Sequence, residues 1–495
     1  MRPLLLTSRY ALGMIMQQAL LFVLVPLCTG YLSPGQLGAW ALLQITVTLL
    51  IQVVAAPVGS ALTRFYYHPK FKDQSGRLGF TLLSIYGIQT LALAGLYLLG
   101  SDALNRLLFE GEGHLGEVRA FTLVLLTVGT SMLLMNFLQL IEAAWSFVIL
   151  SVVQAVVTTA VSLVLLVSYG WGIYALIVGQ AVGQGLQIIG AILILAGRMS
   201  PKLDGSIIRT PLKYGYLSLP AAYGGVLIQT TDRYVINVLA STAHVGLYAF
   251  GSLMANLITI AFARPFIKGI TPLVHQLEDR PDRQRAFITK IALYGSWVGT
   301  WFAVAIGCFG KEMVQLLAQS PEYYAAWTVI PVLVFARVLQ PISGVMGMGL
   351  HFANRPGITS LLTLTIAALN LVVSIALVPV IGIIGAAVGT LIAMLTWAGI
   401  NAHLALKHYD LRFTSGRILA GMLLGGLFVC FAVMTPASWP DWLGLLTKSS
   451  CVAAYPVGLL ACGVVTRSDV DVLRQMYRQA RHRGLRGLVV VFLTG

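Results

Sequence analysis

Apolar segments of about twenty residues recur from one end of this chain to the other, separated by short breaks that carry charge or Pro and Gly. About 20 predominantly apolar residues in a helix cross the hydrocarbon of a bilayer. A backbone in lipid must also satisfy its own hydrogen bonds, which leaves the helix as the structure for segments of this length. The pattern therefore predicts an all-α polytopic membrane protein of about fourteen transmembrane helices. They run roughly over 10–31, 37–62, 78–100, 119–140, 146–168, 172–196, 214–240, 245–270, 288–309, 326–350, 357–379, 382–405, 416–435 and 447–465. Only 10% of the 495 residues are charged and the mean hydropathy is +0.85, against about 25% charged in a soluble domain. The first stretch follows Arg2 and Arg9 like a signal peptide, but it is long and lacks a small-residue cleavage site, so it is expected to remain as the first span.

The formal charge of +15 raises the question of a nucleic-acid partner, and its distribution answers it. Sorted by the loops between these spans, 25 of the 32 Lys and Arg residues fall on one side, among them Arg64, Lys70, Arg198, Arg280, Arg412 and Arg474. Only Arg106, Arg119, Lys311 and Lys448 fall on the other. Such alternation is the positive-inside pattern, and it predicts a bacterial inner-membrane orientation with both termini cytoplasmic and no nucleic-acid partner. Cys28, Cys308, Cys430, Cys451 and Cys462 have neither pairing nor metal spacing and are expected to be buried packing residues.

The chain also repeats itself. A shift of 208 residues sets Ser33 on Ser241, Gly38-Ala39-Trp40-Ala41 on Gly246-Leu247-Tyr248-Ala249, and Pro57 on Pro265. Shifts of 209 and 210 align Leu107-Leu108 with Leu316-Leu317, and Gly172-Ile173 and Gly179 with Gly382-Ile383 and Gly389. Two six-helix copies in parallel orientation are expected, an N-terminal lobe over 1–212 and a C-terminal lobe over 213–410, followed by two further helices over 411–466 and a basic tail over 467–495. Parallel repeats with a site between the halves are a transporter plan. Pro57 and Pro265, which each remove an intrahelical hydrogen bond, are candidate hinges. In the tail, Ser468 and Asp471 read as a capping box before an amphipathic helix with Arg474, Arg478, Arg481 and Arg483 on its basic face, suited to an anionic leaflet.

Charges within spans are costly and usually face a bundle interior or a wet cavity. Arg337 lies centrally in the tenth span, Arg264 in the inner half of the eighth, and Asp232 and Arg233 in the seventh, with Gln229 and Asn237 four residues either side of Arg233. Together with Arg64, which closes the second span, the arginines are candidate ligands for an anionic substrate, since a guanidinium fork binds phosphate bidentately. Asp232 is a candidate for ion coupling or for a structural ion pair. Gln180, Gln184 and Gln187 form a stripe on the sixth span, while Gln17, Gln44, Gln52 and Asn136 are scattered over others. Such amides either bind sugar hydroxyls or join helices. Gly-rich phosphate loops, metalloprotease motifs and nucleophile elbows are missing, so ATP use, a metal and a cofactor are not expected.

Leu32-Ser33-Pro34 through Leu42, Arg64-Phe65-Tyr66, Asp232-Arg233-Tyr234-Val235-Ile236, Val245-Gly246-Leu247-Tyr248-Ala249 and Gly382 through Gly389 carry a resemblance. Across nearly the whole chain the sequence resembles the polysaccharide-biosynthesis, Wzx-like flippases, a branch of the superfamily that includes multidrug and toxin extruders and lipid II flippases. The resemblance implies a V-shaped cavity between two six-helix lobes, alternately open to either side. It implies transfer of undecaprenyl-pyrophosphate-linked oligosaccharide to the periplasmic leaflet, driven by H+ or Na+, with other polysaccharide assembly proteins as partners. Two other readings compete. A drug antiporter of the same fold would carry cations that a net-positive cavity repels. A membrane polymerase or ligase would need more reactive groups than the outer loops supply with Arg106, Glu112, His114, Glu117, Lys311 and Glu322.

Overall fold

The computed structural model describes residues 2–111, 113–352, 356–436, 438–466, 469–471 and 474. Their regular structure is helical throughout. The helices are α1 (Arg2–Cys28), α2 (Pro34–Phe65), α3 (Ser75–Leu99), α4 (Ser101–Phe109), α5 (Leu115–Leu140), α6 (Ala144–Val167), α7 (Ile173–Ala196), α8 (Arg209–Leu217) and α9 (Leu219–Leu239). There follow α10 (Thr242–Ala255), a π-helical turn (Thr259–Ala263), α11 (Arg264–His275), α12 (Pro281–Cys308), α13 (Gly310–Leu317) and α14 (Ile330–Phe352). The last four are α15 (Pro356–Ile381), α16 (Ile383–Tyr409), α17 (Ser415–Val433) and α18 (Asp441–Ala461). Most of the basic tail lies outside the described residues.

Twelve helical stretches among the described residues are long and apolar enough to cross a membrane. The two expected spans not among them fall on α1 and on the α8–α9 pair. The seventh expected span is divided at Ser218, because Pro220 sits at the start of α9 where a helix tolerates proline but cannot continue through it. It also carries Gln229, Asp232 and Arg233. Large apolar side chains stand exposed along whole helix faces, such as Ile88, Leu91 and Leu99 on α3 and Leu423, Leu427 and Phe431 on α17. Contiguous apolar surface of that extent suits lipid and not water. The chain is a multi-pass membrane protein. Cys28, Cys308 and Cys451 are buried as expected, whereas Cys430 and Cys462 are exposed; all five are free thiols.

The sequence repeat is also a repeat of backbone detail. Ser33 caps α2 by accepting the Gln36 N–H at 3.3 Å, and Ser241 caps α10 by accepting the His244 N–H at the same distance. Gly172 (φ 54°) and Gly382 (φ 61°) both adopt the left-handed conformation that glycine permits, one residue before α7 and α16. The copies meet at the helix starts. A Cβ on Gly38 would stand 1.9 Å from the Thr242 carbonyl oxygen, and a Cβ on Gly246 would stand 1.9 Å from that of Pro34. Pro34 and Thr242 are themselves 208 residues apart, as are Gly38 and Gly246, so the contact is reciprocal in the manner of a two-fold axis. A second pair is similar in place but not in detail, its partners lying 211 residues apart and its hydrogen bonds running in opposite directions. Thr29 Oγ1 accepts the Gln319 N–H at 2.8 Å, and its repeat mate Asn237 donates to the Leu108 carbonyl at 2.7 Å.

The chain divides into two compact units. The first comprises Met1–Phe250, Gln315–Ala325 and Thr363–Ala386, and the second comprises Gly251–Val314, Ala326–Leu362 and Ala387–Gly495. In the first, Gly179 and Gly183 bring α7 against Ser162 and Thr158 of α6, the close approach that small residues allow between membrane helices. In the second, Ile270, Val274, Phe287, Ile288, Val345 and Leu411 form an apolar core.

Candidate functional site

Residues of α2 at positions 52, 55, 56, 59, 60, 63 and 64 share one helix face. At 1.5 Å per residue that face is about 18 Å long from Gln52 to Arg64. It forms one wall of an open cavity of about 730 Å³ within the first unit, lined also by Met132 and Asn136 of α5, Tyr214 of α8 and Ala222 of α9. The middle of the wall is Ala55, Ala56, Gly59 and Ser60, and these small side chains are what leaves the space open. At the C-terminal end of α2, Arg64 lies with its guanidinium carbon 4.9 Å from the centre of the Tyr214 ring. Such a cation–π contact holds the charge in place without neutralising it. Gly215, beside Tyr214, fixes α8 there: a Cβ on it would meet the Pro57 carbonyl oxygen at 2.1 Å.

Arg64 is the one charged residue among those lining this cavity. Gln52, Ser60 and Asn136 have no hydrogen-bond partner among the described residues, and Thr63 turns its hydroxyl back to the Gly59 carbonyl at 2.9 Å. The cavity thus presents one fixed cation and several unused amide and hydroxyl groups.

The other amides behave differently. Gln184 accepts from Thr127 at 2.8 Å, Gln187 accepts from Ser131 and donates to the Leu150 carbonyl at 3.4 Å, and Gln17 donates to Gln154 at 2.7 Å. These bonds join α7 to α5 and α6, and α1 to α6. Gln180 is half-buried beside them on α7. Gln229 is exposed and, among the described residues, bonds only locally, to the Gly225 carbonyl at 3.3 Å. Asn237 ties α9 to the end of α4 through Leu108 and receives the Thr242 hydroxyl at 2.8 Å.

Asp232 is buried and accepts a hydrogen bond from the Tyr248 hydroxyl. The Asp-Arg-Tyr and Gly-Leu-Tyr-Ala segments therefore meet in space. The neighbouring Tyr234 hydroxyl pairs with that of Thr46 at 2.8 Å, which fastens α9 to α2. Arg233 is half-buried and its Nε lacks a hydrogen-bond partner among the described residues. Arg264 and Arg337 belong to the second unit and are both half-buried. Arg264 begins α11, its N–H reaching back five residues to Thr259, and Lys268 follows it on the same face one turn later. Pro265 stands just past the π-turn, whereas Pro57 lies inside an unbroken α2.

Among the sequence candidates, then, the first-unit cavity holds Arg64. It adds Tyr214, Ser60 and Thr63, which sequence reasoning did not single out, and Gln52 and Asn136, for which it left sugar binding and helix joining both open. A polar or small residue every three or four positions from Gln52 to Arg64 was the available signal.

The sequence profile of the family described as "Polysaccharide biosynthesis protein" matches residues 30–320, more than half of the chain. The chain belongs to this family. Among curated relatives, the probable low-salt glycan biosynthesis flippase Agl15 of Haloferax volcanii is 24% identical over 275 residues. That match covers 53% of this chain and 57% of the relative, so the chain spans little more than half the relative's length. Among solved structures, the lipid II flippase MurJ in an inward closed conformation is similar with a TM-score of 0.73 at 12% identity, over 90% of this chain and 97% of that one. An inward-facing multidrug resistance MATE family transporter of the MOP superfamily gives 0.64 at 13% identity, over 82% and 94%. At these identities the likeness shows a shared fold. This chain thus shares a fold with both a flippase and a drug transporter.

Proposed function

We propose that this protein is a flippase that moves an undecaprenyl-pyrophosphate-linked oligosaccharide from the cytoplasmic to the periplasmic leaflet by alternating access. The observation that carries the reading is the first-unit cavity, where Arg64 is the single charge beside open amides and hydroxyls and no carboxylate lines the wall. A diphosphate pairs with a guanidinium, and sugar hydroxyls pair with Gln52, Ser60 and Asn136. The family match and the named relative support a glycan as cargo. A cationic drug, the cargo of the competing antiporter, would meet Arg64 head on.

In this reading the repeat copies form two lobes, over 1–212 and 213–410. The reciprocal Gly38–Gly246 crossing closes the outer side, and breaking it opens the path outward. Arg264, Arg337 and Arg233 hold the diphosphate in turn, Pro57 and Pro265 are the hinge positions, and Asp232 is the candidate group for coupling to H+ or Na+. Other proteins of polysaccharide assembly take over the delivered glycan.

The test is to delete the gene and measure which leaflet holds the lipid-linked oligosaccharide, with a periplasmic enzyme or lectin that sees only the outer face. Trapping on the inner face is expected, and restoration by the wild-type gene. A charge-assisted hydrogen bond is worth about 1.5–3 kcal/mol, so Arg64→Gln should slow transfer by about 10- to 100-fold. Normal outward exposure with loss of polymer would move the function to polymerisation or ligation.

A further inference from the structure

We propose that the segment Gln315–Ala325 is a detachable strap that holds the outer side of the protein shut, with the Tyr323 hydroxyl as its bolt. Its release is the outward-opening step of the proposed alternating access, and the role rests on that reading. The segment has an unusual place in the fold. Gly251–Val314 before it and Ala326–Leu362 after it belong to the second compact unit, yet Gln315–Ala325 itself belongs to the first. It runs from the last turn of α13 into the 3-10 stretch Pro321–Val329 that leads to α14.

The turn between α1 and α2 holds it there. Tyr323 is fully buried and its hydroxyl donates to the Leu32 carbonyl at 2.9 Å, while its ring lies 5.4 Å from that of Phe250. The Gln319 N–H donates at 2.8 Å to the buried Thr29 hydroxyl, which itself donates to the Pro26 carbonyl at 2.6 Å. Between these two bonds the strap lies close on the turn, since a Cβ on Gly30 would stand 3.1 Å from the Gln319 Cβ. Burial within the strap is confined to Ala318 and Tyr323, whereas Leu316, Gln319, Glu322 and Tyr324 stand exposed. A segment with so few buried side chains opens at a lower free energy than the helices around it.

The copies differ at this point. Asn237, the repeat mate of Thr29, ties the end of α9 to the Leu108 carbonyl of α4, so both copies have a tie after their first helix. The same shift of 208 sets Tyr323 on Leu115, which has no hydroxyl. One copy therefore has the bolt and the other lacks it. The loop charges predict that the α1–α2 turn lies on the outer side. Lifting the strap leaves the Leu32 carbonyl without its donor, a cost that water removes by taking the place of the Tyr323 hydroxyl. Entry of water as the outer side opens and release of the strap thus favour one another.

The experiment times alkylation of an Ala56→Cys reporter in the cavity by a membrane-impermeant maleimide, in right-side-out and inside-out membrane vesicles. It uses the full-length protein with exposed Cys430 and Cys462 changed to Ser, and the same protein without the reporter gives the background. Tyr323→Phe keeps the ring and loses the bond. It is expected to speed labelling from the outer side about three- to tenfold without speeding it from the inner side. A general loosening would speed both. A second variant does not depend on how well Tyr323→Phe folds: Gly30→Cys with Gln319→Cys, in a protein whose Cys28 is changed to Ala so that it cannot exchange. Diamide joins the two new thiols as a disulfide and takes up their two protons and two electrons, which should stop transfer between leaflets until dithiothreitol restores it. Unchanged labelling in Tyr323→Phe, faster labelling from both sides, or transfer that still needs the protein yet continues with the strap crosslinked overturns the strap. The deletion strain reads the function separately. Delivery that persists without the gene, with labelling shifted as expected, refutes only the flippase; trapping on the inner face with unchanged labelling refutes only the strap.

Discussion

Helix α2 and the stretch from Thr242 to His275 occupy equivalent places in the two sequence copies, yet one is a single helix of 32 residues and the other is broken. Both begin with a capping serine, both cross at a glycine, and both carry a proline 24 residues after that serine, at Pro57 and Pro265. In α2 the helix runs through its proline, braced where Gly215 of α8 lies flat on the Pro57 carbonyl. In the second copy α10 stops at Ala255, and a π-turn spans Thr259–Ala263 before α11 starts. There the Arg264 N–H bonds five residues back to Thr259, which widens the turn just where the Pro265 ring would press on the preceding carbonyl. The rings of Phe262 and Phe266 stack 4.9 Å apart and fill the space over Gly299 and Gly295 of α12. Proline alone therefore does not break a membrane helix; whether the neighbouring helix braces the backbone or receives a bulge decides it.

The largest expected effect tests what the copies share. Gly38→Leu and Gly246→Leu should each destabilise the protein by about 3 kcal/mol or more, because backbone lies where the new side chain must go. Gly35→Ala, whose Cβ would meet only the Ser33 hydroxyl at an ordinary 3.7 Å, should change stability by less than about 0.5 kcal/mol. Thermal unfolding in detergent reads all three. A reciprocal contact predicts equal losses from the first two, and a loss confined to one would break the two-fold relation.

The prolines come next. Pro57→Ala should stabilise the protein by up to about 3 kcal/mol, since it restores a donor inside a continuous helix. Pro265→Ala should instead change motion. With the donor restored, the π-turn can tighten to α, which turns α11, with Arg264 and Lys268, by about 100°. Transfer between leaflets should fall about tenfold, a barrier change near 1.4 kcal/mol, while stability holds. Equal behaviour of the two alanine variants would mean that the break in the second copy has no mechanical role.

The sequence shows the shared half of this comparison and hides the other half for a physical reason. Apolar length, loop charge, the serine caps and the paired glycines are local signals, so the helical membrane architecture and the repeat could be read directly. The π-turn depends on which side chains of α12 lie opposite, and no local pattern around Pro265 differs enough from that around Pro57 to announce it. The site is split in the same way. Arg64 was legible as a charge at a span end, but Gln52 and Gln184 are indistinguishable in sequence. Only the fold shows that Gln184 is satisfied by Thr127 while Gln52 faces open space.

The smallest expected effect sharpens the comparison at its next pair, Tyr86 of α3 and Tyr294 of α12, which are 208 residues apart and both buried. The Tyr86 hydroxyl abuts Gly129, where a Cβ would stand 2.3 Å away. Tyr294 instead donates to Asp469 at 3.0 Å, in the segment added after the second copy. Burial would raise the Asp469 carboxyl, but Thr466, Arg417 and Tyr294 outweigh it and hold the group below the usual carboxylate range. A carboxyl depressed in the folded state contributes stability above its unfolded pKa, near 3.9, and that stability is lost as pH falls through the lower folded value. Asp469→Asn should therefore cost about 1.5 kcal/mol at pH 7 and a steadily smaller amount below about pH 4, where the wild type and the variant converge. Tyr86→Phe should show no such pH dependence. If the difference between Asp469→Asn and wild type stayed constant from pH 7 to pH 3, the carboxylate charge would have no part in fastening the added segment to the second copy, and Tyr294 would be an ordinary packing residue like its mate.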